Sequence, residues 1–289
     1  DWYNNKEIIL DALNYGTPDA IAYYEKPLLK KSRMILHGGS SDWNPTFPID
    51  VPVHYFKHHY SHAAAGYYTS AFNDAVIVVL DAIGEYNTST IWAGEGDKIK
   101  LKYKQNYPTS YGLFYSAFTQ LIGLMPNQEE YIMMGMAAYG KPEYLKQMKD
   151  AFLSPTEQLK FLQNLHIGVD ENFLVGADNM DIATSAQLMV ESLIRAVMQQ
   201  ARMSGRSRNL VYGGGVALNC VANGKILREG IFDGIWIQPA AGDAGGAIGA
   251  AYLADIEILG SARIISDNES DMQSGSFIGP EFKDYEVAS

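Results

Sequence analysis

The 289-residue sequence has a single cysteine, Cys220, so no internal disulfide can staple it and a reducing cytoplasm is the default compartment. Basic side chains are also scarce: 22 against 33 acidic ones leave a net charge of −11 at pH 7. Neutralising a phosphate backbone needs a basic face, so no nucleic-acid partner is expected. No apolar run approaches the length of a membrane span, and the first residues lack the charged-then-apolar order of a secretory leader, so no membrane partner is expected either. The chain opens at Asp1 without a methionine, which predicts a piece of a longer chain. The remainder is ordinary globular composition, with 47% hydrophobic and 19% charged residues. A chain of this length buries roughly three quarters of its unfolded surface, enough for one large domain or two smaller ones.

Periodicity predicts a short helix over 4–14, a buried strand in AIAYYE and a strand over VPVHYFKHH (51–59). An alanine-rich helix over 61–72 follows, with Ser61 placed to cap it. The texture changes at 73–74. AVIVVLDAIGE, TSTIWAGEG and KIKLKYKQNY read as three consecutive strands, the first apolar enough to be buried on both faces. Helices are expected over 111–124 and 128–139, and a long one over 185–205 stopped by Gly205. Then a unit repeats: strand NLVYGGG with helix 216–230, and strand GIWIQPAAGDAGG with helix 247–259. The expectation is an α/β fold with a mainly parallel sheet and ligands at its carboxyl edge. Two αβ lobes with a cleft suit the break near 74: a remnant of the first over 1–74 and the second over 75–260, with a polar linker over 261–289.

Of six histidines, four fall between 54 and 62. His58 and His62 stand four apart, a spacing that puts two imidazoles on one helix face within reach of one metal ion. Spacing alone leaves open a pair of half-buried histidines bonded to backbone carbonyls. Asp81 ends an apolar strand at the sheet's carboxyl edge, where a buried acid needs a cation or several donors. Capping the turn amides of 83–85 is the other possibility. Two glycine-rich turns, YGGGVALN (212–219) and AGDAGGA (241–247), let backbone approach a ligand, and Asp243 projects from the second. Neither strict phosphate-loop fingerprint is present. Cys220 and the methionines at 125, 133, 134 and 136 read as core fillers.

Taken in order, HHYSHAAAGYY (58–68), VLDAIGE (79–85), EYIMMGMAAYG (130–140), GGGVALN (213–219), QPAAGDAGGAIGAA (238–251) and FIGPEF (277–282) resemble the signature blocks of the nodulation-protein and tobramycin-type O-carbamoyltransferases. The resemblance implies a duplicated actin-like ATPase (ASKHA) fold, shared with the tRNA threonylcarbamoyl transferases, whose first lobe is here incomplete. It implies a metal, Fe2+ or another divalent ion such as Zn2+, held by His58, His62, Asp81 and Asp243. It implies a nucleotide, ATP or carbamoyl-adenylate, bordered by Gly84, Glu130, Gly213, Gly214, Gly215, Asn219 and Gly242. In such proteins a YrdC-like domain makes carbamoyl-adenylate from carbamoyl phosphate and ATP, and the actin-like domain passes the carbamoyl group to a hydroxyl of a small-molecule acceptor.

Two departures stand out. The opening strands with an early histidine–aspartate turn and the YrdC-like domain are absent, so this chain alone is expected to be unable to form the adenylate. Ile132 also stands where the family carries lysine in its Glu-x-Lys-x-Met-Gly block. Other possibilities are a phosphotransferase such as a sugar kinase on the same fold, disfavoured by the paired histidines, and a nucleotide-binding module without catalysis.

Overall fold

The run AVIVVL has an apolar side chain at every position, and in the computed structural model it lies in the central strand β3 (Asp74–Gly84). The structure describes residues 6–36, 49–157, 159–265 and 272–276. Val76, Val78 and Leu80 enter the core on one face of β3, and Ala75, Ile77 and Val79 enter the core on the other. Both faces are covered, as the composition of the run requires.

Strands β4 (Asn87–Glu95), β5 (Lys98–Asn106), β6 (Asn209–Gly213) and β7 (Gly234–Ile237) complete a five-stranded sheet of order β5-β4-β3-β6-β7. Only β3, β6 and β7 run parallel; β4 and β5 are antiparallel to their neighbours. The expected mainly parallel sheet is therefore a mixed one. The reason lies in the connections: Glu85 and Tyr86 alone separate β3 from β4, and so short a link makes only a hairpin.

The larger core packs beneath α4 (Tyr111–Leu121), α5 (Glu130–Met136), α6 (Leu145–Phe152) and α7 (Asn179–Ser204), with Phe114, Phe118, Met189 and Ile194 buried completely. On the opposite face lie α3 (His58–Thr69) and α9 (Gly246–Leu253). Helix α8 (Cys220–Glu229) connects β6 to β7. Ahead of these, α1 (Lys6–Leu13) and α2 (Pro27–Leu36) flank β1 (Ile21–Tyr23), which pairs in parallel with β2 (Val53–Tyr55). No helix among the described residues is long and apolar enough to cross a membrane.

Several boundaries differ from the sequence expectation. Helix α3 begins at His58, with Lys57 as its cap residue, rather than at Ser61. Ser61 lies inside the helix, fully buried, and its hydroxyl donates to the Lys57 carbonyl at 3.2 Å. Helix α7 starts earlier than 185 because the Asp178 carboxylate accepts the Met180 and Asp181 amides. Helix α2 was not anticipated. Cys220 is exposed rather than core, and Met125 is 52% exposed while Met133 is fully buried. Of the polar segment from 261, Arg263 reaches back to the carboxyl end of α3, donating to the carbonyls of Tyr67 at 2.7 Å and Ser70 at 2.9 Å. Met272 of the same segment donates its amide to the Thr69 carbonyl at 3.0 Å. The FIGPEF block and positions 266–271 and 277–289 of the expected linker, like positions 4 and 5 of the first helix, lie outside the described residues.

Candidate metal centre and adjoining cavity

Three elements bring the candidate ligands together. Helix α3 presents His58 and His62 on one face, both buried. Asp81 comes from the carboxyl end of β3, beside the helix. Helix α9 crosses α3 at close range because Gly249 has no side chain: a Cβ there would stand 1.8 Å from the Ser61 carbonyl oxygen. The turn leading into α9 is thereby held near the imidazoles, and Asp243 projects from it.

The donor atoms converge. Nε2 of His58 is 2.9 Å from Asp81 Oδ2, 3.0 Å from His62 Nε2 and 3.4 Å from Asp243 Oδ1. Nε2 of His62 is 3.4 Å from Asp243 Oδ1 and 4.0 Å from Asp81 Oδ2. All four ligand atoms lie within 4.8 Å of one another. Two ligands each about 2.1 Å from one ion stand roughly 3.0 Å apart at an octahedral right angle and roughly 3.4 Å apart in a tetrahedron. The observed spacings straddle those values, so the residues present fit one divalent ion. The other oxygen of Asp81, Oδ1, accepts the Gly215 amide at 3.3 Å.

The electrostatics are those of a site built for positive charge. Burial opposes ionisation of Asp81, but the hydrogen bond from His58 and the neighbouring imidazoles hold its carboxyl far below the usual range. For Asp243, the His58 and His62 imidazoles beside it pull in the same direction. Burial disfavours a charged His58, yet Asp243, Asp81 and Glu25 together raise its pKa well above that of a free histidine. His59 faces elsewhere. Burial lowers its pKa to about 3, and its Nδ1 lies 2.9 Å from the Thr90 hydroxyl.

A cavity of about 970 Å³ opens beside this cluster, with Asp81 and Asp243 in its wall. Gly215, Asn219, Gly242 and Glu130 line it as well. Gly84, Gly213 and Gly214 do not: Gly84 lies against the rings of His58 and His59, and the other two against the backbones of His62 and Leu80. Glu130 Oε1 accepts the Ser116 hydroxyl at 2.5 Å and the Asn127 amide at 2.6 Å. Ile132 is half-buried and off the cavity wall, whereas its neighbours Tyr131 and Met134 are on it.

Two contributors carry no motif. Gln187, buried in α7, accepts the Tyr115 hydroxyl at 2.6 Å and pairs both ways with the Asn219 amide at 2.9 and 3.0 Å. A glutamine inside a regular helix gives no sequence signal. Glu25 is also buried, with Oε1 3.3 Å from His58 Nδ1. Here the signal existed, since Glu25 closes the apolar segment AIAYYE as Asp81 closes VIVVLD.

The family model described as carbamoyltransferase N-terminus matches residues 46–252. Uncharacterized protein sll1178 of Synechocystis sp. is 37% identical over 257 residues, covering 82% of this chain and 42% of its own length. Nodulation protein NolO of Bradyrhizobium diazoefficiens is 29% identical over 212 residues, covering 70% of this chain and 38% of its own length. Nodulation protein NolNO of Sinorhizobium fredii is 30% identical over 220 residues, covering 73% of this chain and 32% of its own length. The chain thus spans less than half the length of these relatives.

Proposed function

Because this chain belongs to the carbamoyltransferase N-terminal family, we propose that it transfers a carbamoyl group from carbamoyl-adenylate to a hydroxyl of a small-molecule or sugar acceptor. The observation that carries this reading is the juxtaposition of a two-histidine, two-aspartate cluster with a cavity of about 970 Å³ whose wall includes both aspartates. The fold proposed for it is the duplicated actin-like one. Residues 1–74 would belong to the first lobe, 75–260 to the second, and 261–289 to a linker, with the adenylate supplied from ATP and carbamoyl phosphate by a YrdC-like domain.

His58, His62, Asp81 and Asp243 would hold the ion, and imidazole donors select ferrous iron or zinc over magnesium. When bound, such an ion would supply Lewis acidity for the transfer. The chain's own residues do the rest. The backbone at Gly215 and Gly242 allows close approach of a phosphate, and Asn219 caps α8 by accepting the Ala222 amide at 3.0 Å. Glu130, with Oε1 committed to Ser116 and Asn127, would receive a ribose hydroxyl at its other oxygen. In the transfer, the acceptor oxygen bonds to the carbamoyl carbon as the carbon–phosphate oxygen bond breaks, AMP departs and the hydroxyl proton passes to solvent.

Metal analysis of anaerobically purified chain, with calorimetric titration of ADP, tests this. One equivalent of iron or zinc and saturable ADP binding are expected, and His58→Ala or His62→Ala should lose the metal while keeping the circular dichroism of the parent. Full metal occupancy in both variants would refute the ligand assignment. Bound ADP and metal without carbamoyl transfer, when a YrdC-like partner supplies the adenylate, would instead make the chain a nucleotide-binding module. Magnesium as the resident ion would point to a phosphotransferase.

A further inference from the structure

A histidine that binds a metal through Nε2 must carry its proton on Nδ1, and whatever faces Nδ1 decides how firmly that tautomer and ring orientation are held. His58 is 1% exposed, and its Nδ1 is buried with no hydrogen bond of good geometry reaching it from the described residues. Glu25 Oε1 lies 3.3 Å from that atom. Glu25 is itself 4% exposed and follows directly on β1, and its second oxygen is held by Lys30 Nζ at 2.5 Å. Tyr24 adds its ring beside the imidazole, with centroids 5.6 Å apart.

We propose that Glu25 is a positioning residue for the metal site, its carboxylate holding His58 in the Nδ1–H form so that the Nε2 lone pair faces Asp81, His62 and Asp243. The proposal rests on the metal-centre reading above and extends it to a residue outside the ligand set. A carboxylate buried beside a histidine that already has Asp81 on its other ring nitrogen is costly unless it does something for that histidine. Lys30 offsets the charge and fixes the carboxylate's direction, so the imidazole is gripped along one line: Lys30, Glu25, His58, ion. Loss of such an outer partner lowers metal affinity by about 10–100-fold.

The test uses the 289-residue chain loaded with zinc. Competitive titration against a chromophoric chelator gives the zinc Kd, and long-range 15N–1H spectra give the protonated nitrogen of His58. Glu25→Ala should raise Kd at least tenfold and broaden or shift the His58 Nδ1–H resonance. Glu25→Gln, which keeps the shape and an accepting oxygen, should recover the Nδ1–H form and part of the affinity. A loss of fold stability alone would move neither the tautomer nor the order of the two variants. Parent-like Kd and Nδ1–H resonance in Glu25→Ala would overturn the role of Glu25 and leave the four ligands standing. A parent chain that takes up no zinc would overturn both.

Discussion

A methyl group at position 84 would have nowhere to go. Its carbon would stand 2.3 Å from Cδ2 of His58 and 2.5 Å from Cδ2 of His59, both in buried rings that cannot swing into solvent. Overpacking of this kind costs about 1–3 kcal/mol, and here the ring displaced first is a ligand. Gly84→Ala is therefore expected to lower the melting temperature and to raise the zinc Kd at least tenfold; a zinc Kd within twofold of the parent would show that the rings have room. At this scale the sequence marks the histidine pair by i, i+4 spacing, Asp81 by its place at the end of an apolar strand and Asp243 by its glycine-rich turn, but the first two signals leave another possibility open. The facing of Gly84 was not legible. A sequence block orders residues along the chain, whereas the choice between a nucleotide and an imidazole as the glycine's neighbour depends on where α3 lands.

Helix α3 is held at its carboxyl end by a residue far along the chain. The Arg263 guanidinium donates to the carbonyls of Tyr67, Ser70 and Phe72 at 2.7, 2.9 and 3.0 Å, and its carbon lies 4.0 Å from the Tyr67 ring centroid. A cation there satisfies last-turn carbonyls and complements the helix dipole. Hydrogen bonds from a charged donor and the ring contact together make the loss in Arg263→Ala of the order of 2–3 kcal/mol. That should read as a lower melting temperature, at about 2–4 °C per kcal/mol, with zinc affinity unchanged because the histidines sit at the opposite end of the helix. An unchanged melting temperature would mean that water replaces the guanidinium without loss. The uniformly apolar run of β3 and the helical period of α7 were legible in the sequence. The start of α3 was not, since HYFKHH alternates like a strand until the tertiary contacts of His58 settle it. Helix α2 was missed although Pro27 at its first position is a start signal.

The ligands come from distant stretches of chain, His58 and His62 from α3, Asp81 from β3 and Asp243 from the turn after β7. Helix α3, which the texture change at 74 assigns to the first unit, packs against β3, β6 and α9, so the site exists only when all of these are assembled. Such an arrangement is invisible to local pattern, and only the order of the family blocks hinted at it. It also makes the ion a probe of the whole fold. An ion that binds the folded chain and not the unfolded one adds about 2.7 kcal/mol at a free concentration one hundred times its Kd. At about 2–4 °C per kcal/mol, zinc at that level should raise the melting temperature by roughly 5–10 °C. The same concentration of magnesium should do much less, because two of the four donors are imidazoles, which the harder ion shuns. In His62→Ala the zinc shift should vanish while the metal-free melting temperature stays near the parent's. A zinc shift that survives the loss of His62, or one matched by magnesium, would place the stabilising ion somewhere other than among these four side chains.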